Sequence, residues 1–508
     1  MVSNICTVAV NGIEGCLVHV EADIGQGLPS FDMVGVLASE VKEARERVRS
    51  ALKNSGFLIP IGKITINLSP ANLRKQGNHF DLPIAIAILT AMGIIPKENV
   101  KNIIFAGELG LDGSLKKVNG VLCFSATAKE QNIDYIVVPK ENEKEGQMIA
   151  GVSGYSFETL KEVVEWLQVG AKEKKIYEKQ NNEILVEDGI DFSDINGQEL
   201  VKRATEVAAA GMHNLLYIGP PGSGKTMMAK RLRTILPPLT LEESIEISKI
   251  YSICGLLDEN RGLIQSRPFR SPHHTITPTA LTGGGRVPKP GEISLANGGV
   301  LFLDELPEFQ KNTLEILRQP LEDKKIMISR LHGNYQYPTD FLLCSAMNPC
   351  KCGFYPDRNK CHCSKVQVEQ YLGHISQPLL DRIDISIEVP RLTYEEFSKK
   401  GKNESSKDIR KRVIKAINIQ KKRYENEGIL FNSQLSASQI EKYCKLGGKE
   451  EQLIQGFFEK NNLSARAYHK ILKVARTIAD LDEKEHITVT HLSEAFCYRG
   501  LEKKIWGV

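Results

Sequence analysis

Three kinds of hydrophobic spacing succeed one another along the chain. In the first, the runs "KITINLSPANL" and "YIVVP" predict strands, and "SEVKEARERVRSALKNSG" carries apolar residues at helical intervals up to a stop at Gly56. Residues 82–95, "LPIAIAILTAMGII", are apolar on every face. That run is shorter than the roughly 20 residues a bilayer crossing needs, so it predicts a buried core helix. From 191 to 392, "NLLYIG", "GVLFLDE", "FLLCSAMN" and "DISIEV" are short, wholly apolar runs separated by helical segments, the pattern of a buried parallel sheet. Beyond 393 the spacing is helical. Two polar stretches, "GAKEKKIYEKQNNEILVEDG" and "SKKGKNESSKDIRK", part the blocks. The expected division is 1–168, a linker 169–190, a motor-like unit 191–392 and a helical unit 393–508.

Composition narrows the class only slightly. With 508 residues, 41% hydrophobic and 25% charged, the chain has the makeup of a soluble globular protein with several cores. A net charge of +4 neither announces nor excludes a nucleic-acid partner, because local basic surface decides. The start "MVSNICTVAV" lacks a basic stretch followed by an apolar core, so a cytoplasmic protein with no membrane partner is expected. In that reducing compartment, eleven cysteines favour metal binding over disulfides where they cluster.

"GPPGSGKT" places Gly219, Pro220, Pro221, Gly222, Ser223, Gly224, Lys225 and Thr226 between a predicted strand and a predicted helix. Its glycines let backbone N–H groups turn in around the phosphates of ATP, and the helix N-terminus adds its positive end. Lys225 reaches the β/γ-phosphates and Thr226 ligates Mg²⁺. "GVLFLDE" ends its strand in Asp304, a partner for the same Mg²⁺, and Glu305, which would orient the attacking water. Asn348, at the tip of "FLLCSAMN", could sense the γ-phosphate; a turn-forming Asn before Pro349 is the plainer reading. Arg382 in "PLLDRIDI" could act as an arginine finger on a neighbouring subunit, or serve as a surface salt-bridge residue. Arg466, near the start of "ARAYHKILKVARTIADL", is a candidate second sensor, with an ordinary helix-surface arginine as its rival.

Just past Asn348 comes "NPCKCGFYPDRNKCHC", with Cys350, Cys352, Cys361 and Cys363. Four thiols in two close pairs suit tetrahedral Zn²⁺ in a closed structural site, with His362 able to replace one of them. The cluster is an insertion, 350–363, between two nucleotide-sensing segments of one motor domain.

The motifs resemble the Mg-chelatase-like AAA+ ATPases of the ComM/YifB type, associated with competence and recombination. The likeness runs nearly end to end: "GLPSFDMVG" and "ITINLSPANLRKQGNHFDLPIAIAIL", then "RPFRSPHHTITPTALTGGG" and "PGEISLANGGVLFLDELPEF", then "LSARAYHKILKVARTIADL". It implies an α/β multidomain fold: a Lon-protease/S5-like N-terminal domain, a P-loop AAA+ core with a parallel sheet, and a C-terminal helical lid. It implies ATP hydrolysis with Mg²⁺ by a homohexameric ring. It also implies two inserted elements, a hairpin near 326–341 with Gly333 in its turn and a long loop near 271–292 carrying His273 and His274. Arg330, His332 and Asn334 at the hairpin tip become candidate contacts to single-stranded or branched DNA. In Lon, a serine follows a Lys-x-Gly-Pro segment and a lysine follows a Gly-Gly-Leu segment. Here Phe80 or Asp81 stands near the first position and Leu122 or Cys123 near the second, so proteolysis is not expected. Arg74 and Lys75 in "NLRKQGNH" read as an exposed loop pair or a basic contact. Besides a helicase or branch-migration motor, a metal-chelatase motor subunit and a protein-remodelling ATPase fit the same core.

Overall fold

The computed structural model describes residues 2–170, 189–258, 262–330, 333–357, 359–395, 403–461 and 463–499. Most of the expected 169–190 linker, and His332, lie outside them.

The N-terminal sheet has seven strands in the order Ser30–Val34, Lys63–Ser69, Glu14–Gly25, Ser3–Asn11, Ile103–Phe105, Tyr135–Pro139 and Ser153–Phe157. Strand Lys63–Ser69 alternates as its sequence predicts, burying Ile64, Ile66 and Leu68. Helix Ser39–Asn54 buries Val41, Ala44, Val48, Ala51 and Leu52, one stripe at helical spacing, and the chain turns away at Gly56 with φ 86°. Helix Asp81–Ala91 is buried at every position. It lies between that first helix and strands Ser3–Asn11 and Glu14–Gly25, which explains its apolar circumference.

The second sheet carries five parallel strands in the order Phe269–Arg270, Val300–Leu303, Leu342–Met347, Leu215–Ile218 and Ile385–Glu388. Its four longer strands are the four apolar runs of the sequence. All of them point the same way, so their carboxyl ends share one edge, where an open α/β sheet binds its ligands. Helices Ser406–Arg423, Ala437–Tyr443, Gly448–Asn461, Ala465–Leu481 and Val489–Cys497 follow, and the first packs on helices Glu199–Gly211 and Lys225–Ile235. Asp384 joins these C-terminal helices to the sheet: its carboxylate is 3.4 Å from His213 Nδ1 and 3.8 Å from Lys470 Nζ. Burial would raise its pKa, but the His213 hydrogen bond and the nearby lysines hold it well below the usual carboxylate range.

Three expectations need correction. Lys75 is fully buried, not an exposed loop charge, and its Nζ donates to the Pro70 carbonyl. Burial lowers its pKa, and a cation spent on holding its own loop cannot grip DNA. Gly333 does not sit in the hairpin turn; it opens strand Gly333–Pro338 and pairs with Arg330 of strand Lys325–Arg330. The segment 271–292 is not an open loop. It holds a short helix, Pro278–Thr282, and a small antiparallel pairing of Gly283–Gly284 with Lys289–Pro290. Thr277 caps that helix by accepting from Ala280 N, and Pro278 suits its first turn.

Candidate nucleotide site and cysteine cluster

At the shared sheet edge, strand Leu215–Ile218 runs into the loop 219–224 and then into helix Lys225–Ile235. Gly222 and Gly224 take φ of 76° and 88°, which a side chain would strain. Lys225 Nζ folds back onto this loop, donating to the carbonyls of Gly219 at 2.8 Å and Pro220 at 2.9 Å. It also donates to Asn348 Oδ1 at 3.1 Å. Burial pushes its pKa down, while Asp304 and Glu305 pull it up.

Both oxygens of Asp304 are fixed. Oδ2 accepts from Thr226 Oγ1 at 2.7 Å, and Oδ1 accepts from Glu305 N at 2.9 Å. Glu305 itself is left-handed, with φ 51° and ψ 48°. Such a conformation costs a non-glycine residue about 1–3 kcal/mol and persists where its surroundings impose it. It lets the chain turn directly off the strand and leaves the Glu305 carboxylate exposed, 3.7 Å from His274 Nδ1. His273 and His274 lie against each other, ring centroids 4.0 Å apart.

The residues fit a nucleotide. Ser223 Oγ is buried and has no hydrogen-bond partner among the described residues. The Lys225 ammonium is satisfied by neutral oxygens, which leaves its positive charge without an anion among those bonds. Beside the loop opens a cavity of about 440 Å³, lined by Ile195, Gln198, Gly224, Met227, Arg391 and Tyr394 among others. It offers apolar wall for a base and polar groups at its rim.

Sequence reasoning missed several of these participants. Gln198, left-handed at φ 54°, donates from Nε2 to the carbonyls of Ser223 and Pro390, both at 2.9 Å. Arg391 donates to Pro221 O at 3.1 Å. Neither belongs to a spaced motif, so only the folded chain reveals them. The contact of His274 with Glu305 was equally hidden, although "SPHH" itself stood out.

Other expected residues lie apart from the phosphate loop. Arg382 is 13% exposed, with its guanidinium on the Glu322 carboxylate and the carbonyls of Arg318 and Pro378. Arg466, the second residue of helix Ala465–Leu481, is 72% exposed and 3.7 Å from Asp381. Arg330 donates to the Gly285 carbonyl at 3.3 Å, so the hairpin touches the 271–292 segment. Asn334 is exposed and pairs with Ser329 across the hairpin.

The four cysteines converge. Cys350 Sγ is 3.3 Å from Cys352 Sγ and 3.8 Å from Cys361 Sγ, and Cys352 Sγ is 3.6 Å from Cys361 Sγ. All four sulfurs, with Cys363, lie within 4.8 Å of one another, and His362 is not in the group. A tetrahedron built on Zn–S bonds of about 2.3 Å has S···S edges of about 3.8 Å, so the spacing suits zinc. All four are free thiols. Burial opposes ionisation of Cys352, yet the Phe354 backbone and the Cys350 thiol pull it down to about 6. Burial and its thiol neighbours push Cys361 up to about 12. Thiols this close oppose one another's ionisation, and a bound cation would relieve that opposition.

The positions that correspond to the catalytic pair of Lon are closed in this chain. Phe80, Asp81, Leu122 and Cys123 are buried. Both oxygens of Asp81 accept from Arg47, at 2.7 and 2.9 Å. Burial lifts the Cys123 thiol to about 12, far from a nucleophile's range. Among the described residues no helix is long and apolar enough to cross a membrane.

Comparison with known proteins agrees with this geometry. The family described as "Magnesium chelatase, subunit ChlI" matches residues 191–397, its "Subunit ChlI of Mg-chelatase" matches 20–142, and "Magnesium chelatase, subunit ChlI C-terminal" matches 403–499. Competence protein ComM of Haemophilus influenzae is 42% identical over 96% of this chain and 96% of its own. The uncharacterized protein YifB of Escherichia coli is 42% identical over 98% of this chain and 97% of its own. Lon protease 2 of Bacillus subtilis is 30% identical over 30% of this chain and 32% of its own. With near-complete coverage by such relatives, and a P-loop sheet at its centre, the chain belongs to the ComM/YifB-type family of Mg-chelatase-like AAA+ proteins.

Proposed function

We propose that this protein is an ATP-driven homohexameric motor that moves on single-stranded or branched DNA, of the helicase or branch-migration kind, in DNA uptake or recombination. The observation that carries the reading is a short stretch of chain from the hairpin to Asn348, which is hydrogen-bonded to Lys225 at the nucleotide loop. Strand Gly333–Pro338 leads through residues 339–341 into strand Leu342–Met347, whose next residue, Asn348, accepts from Lys225. The hairpin has two faces. Ile328, Tyr335 and Tyr337 are buried on one, while Lys325, Ser329, Asn334 and Gln336 are exposed on the other; Arg330, exposed at the end of the first face, donates to the Gly285 and Ser329 carbonyls, bonds it would have to exchange for phosphate oxygens. That a relative 42% identical over 96% of this chain carries a competence name supports the DNA setting.

Bound Mg-ATP would supply the reactive phosphoryl group and a cation to neutralise its charge. Lys225 would exchange its loop carbonyls for phosphate oxygens. Thr226 and Asp304 would hold the cation between them. Glu305 would accept the proton of an attacking water, with His274 beside it. Asn348, released from Lys225, would report on the γ-phosphate. Arg382 would act on the neighbouring copy's nucleotide, and Arg466 would serve as second sensor. Zinc at the four cysteines would have a structural role.

A metal-chelatase-type or protein-remodelling motor is the second reading, favoured by the chelatase descriptions of all three matched families. One assay separates them: the ATP hydrolysis rate of the assembled ring with and without single-stranded or forked DNA. Stimulation several-fold, weakened in Arg330→Ala, is expected. A rate indifferent to DNA would remove the DNA motor and leave the second reading.

A further inference from the structure

The cysteine cluster and its flanking strand end reach the phosphate loop by one direct contact and two indirect routes. Asn348, two residues before Cys350, accepts from Lys225. Gly353, in the loop between the two cysteine pairs, packs so closely on Pro221 that a Cβ there would collide with the proline ring. The next residue, Phe354, lies under the Arg391 guanidinium, 5.1 Å from ring centroid to Cζ, and Arg391 donates to Pro221 O. Pro221 is therefore clasped between the knuckle and the arginine that the knuckle positions. It belongs to the loop whose carbonyls hold Lys225.

From this placement we infer that the metal-loaded knuckle braces the phosphate loop, so that metal and nucleotide favour each other's binding. The inference rests on the reading that the four thiols hold zinc. Its physics is linkage. A metal held by the four thiols fixes Gly353 and Phe354 between them, and these restrict Pro221 and Arg391. A nucleotide that orders the loop acts back on the thiols by the same factor. Coupling between two such sites commonly amounts to about 5–150-fold in affinity.

The test uses the full-length protein loaded with zinc. Zinc is partitioned at equilibrium against a chromogenic chelator of known affinity, with and without a slowly hydrolysed ATP analogue and Mg²⁺. Saturation of the nucleotide site is followed separately with a fluorescent nucleotide. The expectation is one zinc per chain, held at least about fivefold more tightly when nucleotide is bound. Lys225→Ala should abolish that difference. Phe354→Ala keeps all four thiols, so it should still bind one zinc while losing most of the coupling. Absence of zinc from protein purified without chelators would remove the metal reading itself. Zinc bound with equal affinity in the two nucleotide states would leave that reading standing and overturn the brace. Wild-type coupling in Phe354→Ala would overturn the route through Phe354 and Arg391.

Discussion

Two regions in this chain each turn through glycine into a helix and end in opposite chemistry. "KQGNHFDLP" leads into helix Asp81–Ala91, and "GPPGSGKT" leads into helix Lys225–Ile235. At the first, His79, Phe80 and Asp81 are all buried. His79 Nε2 lies 2.9 Å from the Val8 carbonyl, and Asp81 is taken by Arg47. At the second, polar side chains from beyond three strand ends converge: Lys225, Asp304 and Asn348, and Ser223 Oγ has no hydrogen-bond partner among the described residues. A glycine turn before a helix therefore says little by itself. Chemistry is retained where polar groups are held by partners that a ligand can replace, and lost where they are consumed by the fold.

The largest expected effect sharpens that contrast. Lys225→Ala should lower the ATP hydrolysis rate by at least about 100-fold, in line with removal of a preorganised charge from a reaction centre. His79→Gln should leave the rate of folded protein within about twofold and act on stability instead. Loss of hydrolysis in His79→Gln would show that the N-terminal region takes part in the chemistry. Glu305→Gln comes next. It should slow hydrolysis by about 100-fold while fluorescent-nucleotide binding persists, because general-base roles contribute about 10²–10⁴-fold. Equal loss of binding would make Glu305 a binding group.

The third effect is a pH dependence confined to the N-terminal domain. Burial holds His79 down at about 4, below the ordinary histidine value of about 6.5. The unfolded chain therefore takes up a proton that folded His79 refuses, and the His79 contribution to stability falls as pH drops from about 6.5 to about 4, opposed by Asp81, whose burial raises its carboxyl to about 6. Above that window His79 adds no pH slope. The full loss is on the order of 3 kcal/mol. Urea unfolding of wild type and His79→Gln across this range should show a smaller loss in the variant. The smallest effect belongs to Lys75→Met. It removes the bond to Pro70 O and a buried charge together, so stability should change by no more than about 1 kcal/mol. DNA affinity should not change at all.

Legibility in the sequence followed the range of the interaction. The phosphate loop, Asp304 and the apolar strands are set by neighbours along the chain, and each sits where its pattern implied. The all-buried helix Asp81–Ala91 was equally readable, since no exposed helix is apolar all round. Lys75 was misjudged because a lysine's partner can be any carbonyl the fold brings to it. Gly333 stands at the edge of the hairpin turn, paired with Arg330, and a boundary of one residue is not fixed by local pattern. Gln198, Arg391 and the seat of Gly353 on Pro221 arise from residues far apart in sequence, and no local pattern encodes them.

The central claim, a nucleotide-driven motor acting on DNA through the hairpin, is tested most directly by strand displacement. Full-length protein, assembled as a ring, is mixed with a labelled forked duplex and ATP, beside Lys225→Ala and a slowly hydrolysed analogue. Separation of the strands only by wild type and only with hydrolysable ATP is the predicted result. An intact ring that hydrolyses ATP yet leaves both forked and branched duplexes paired would contradict it.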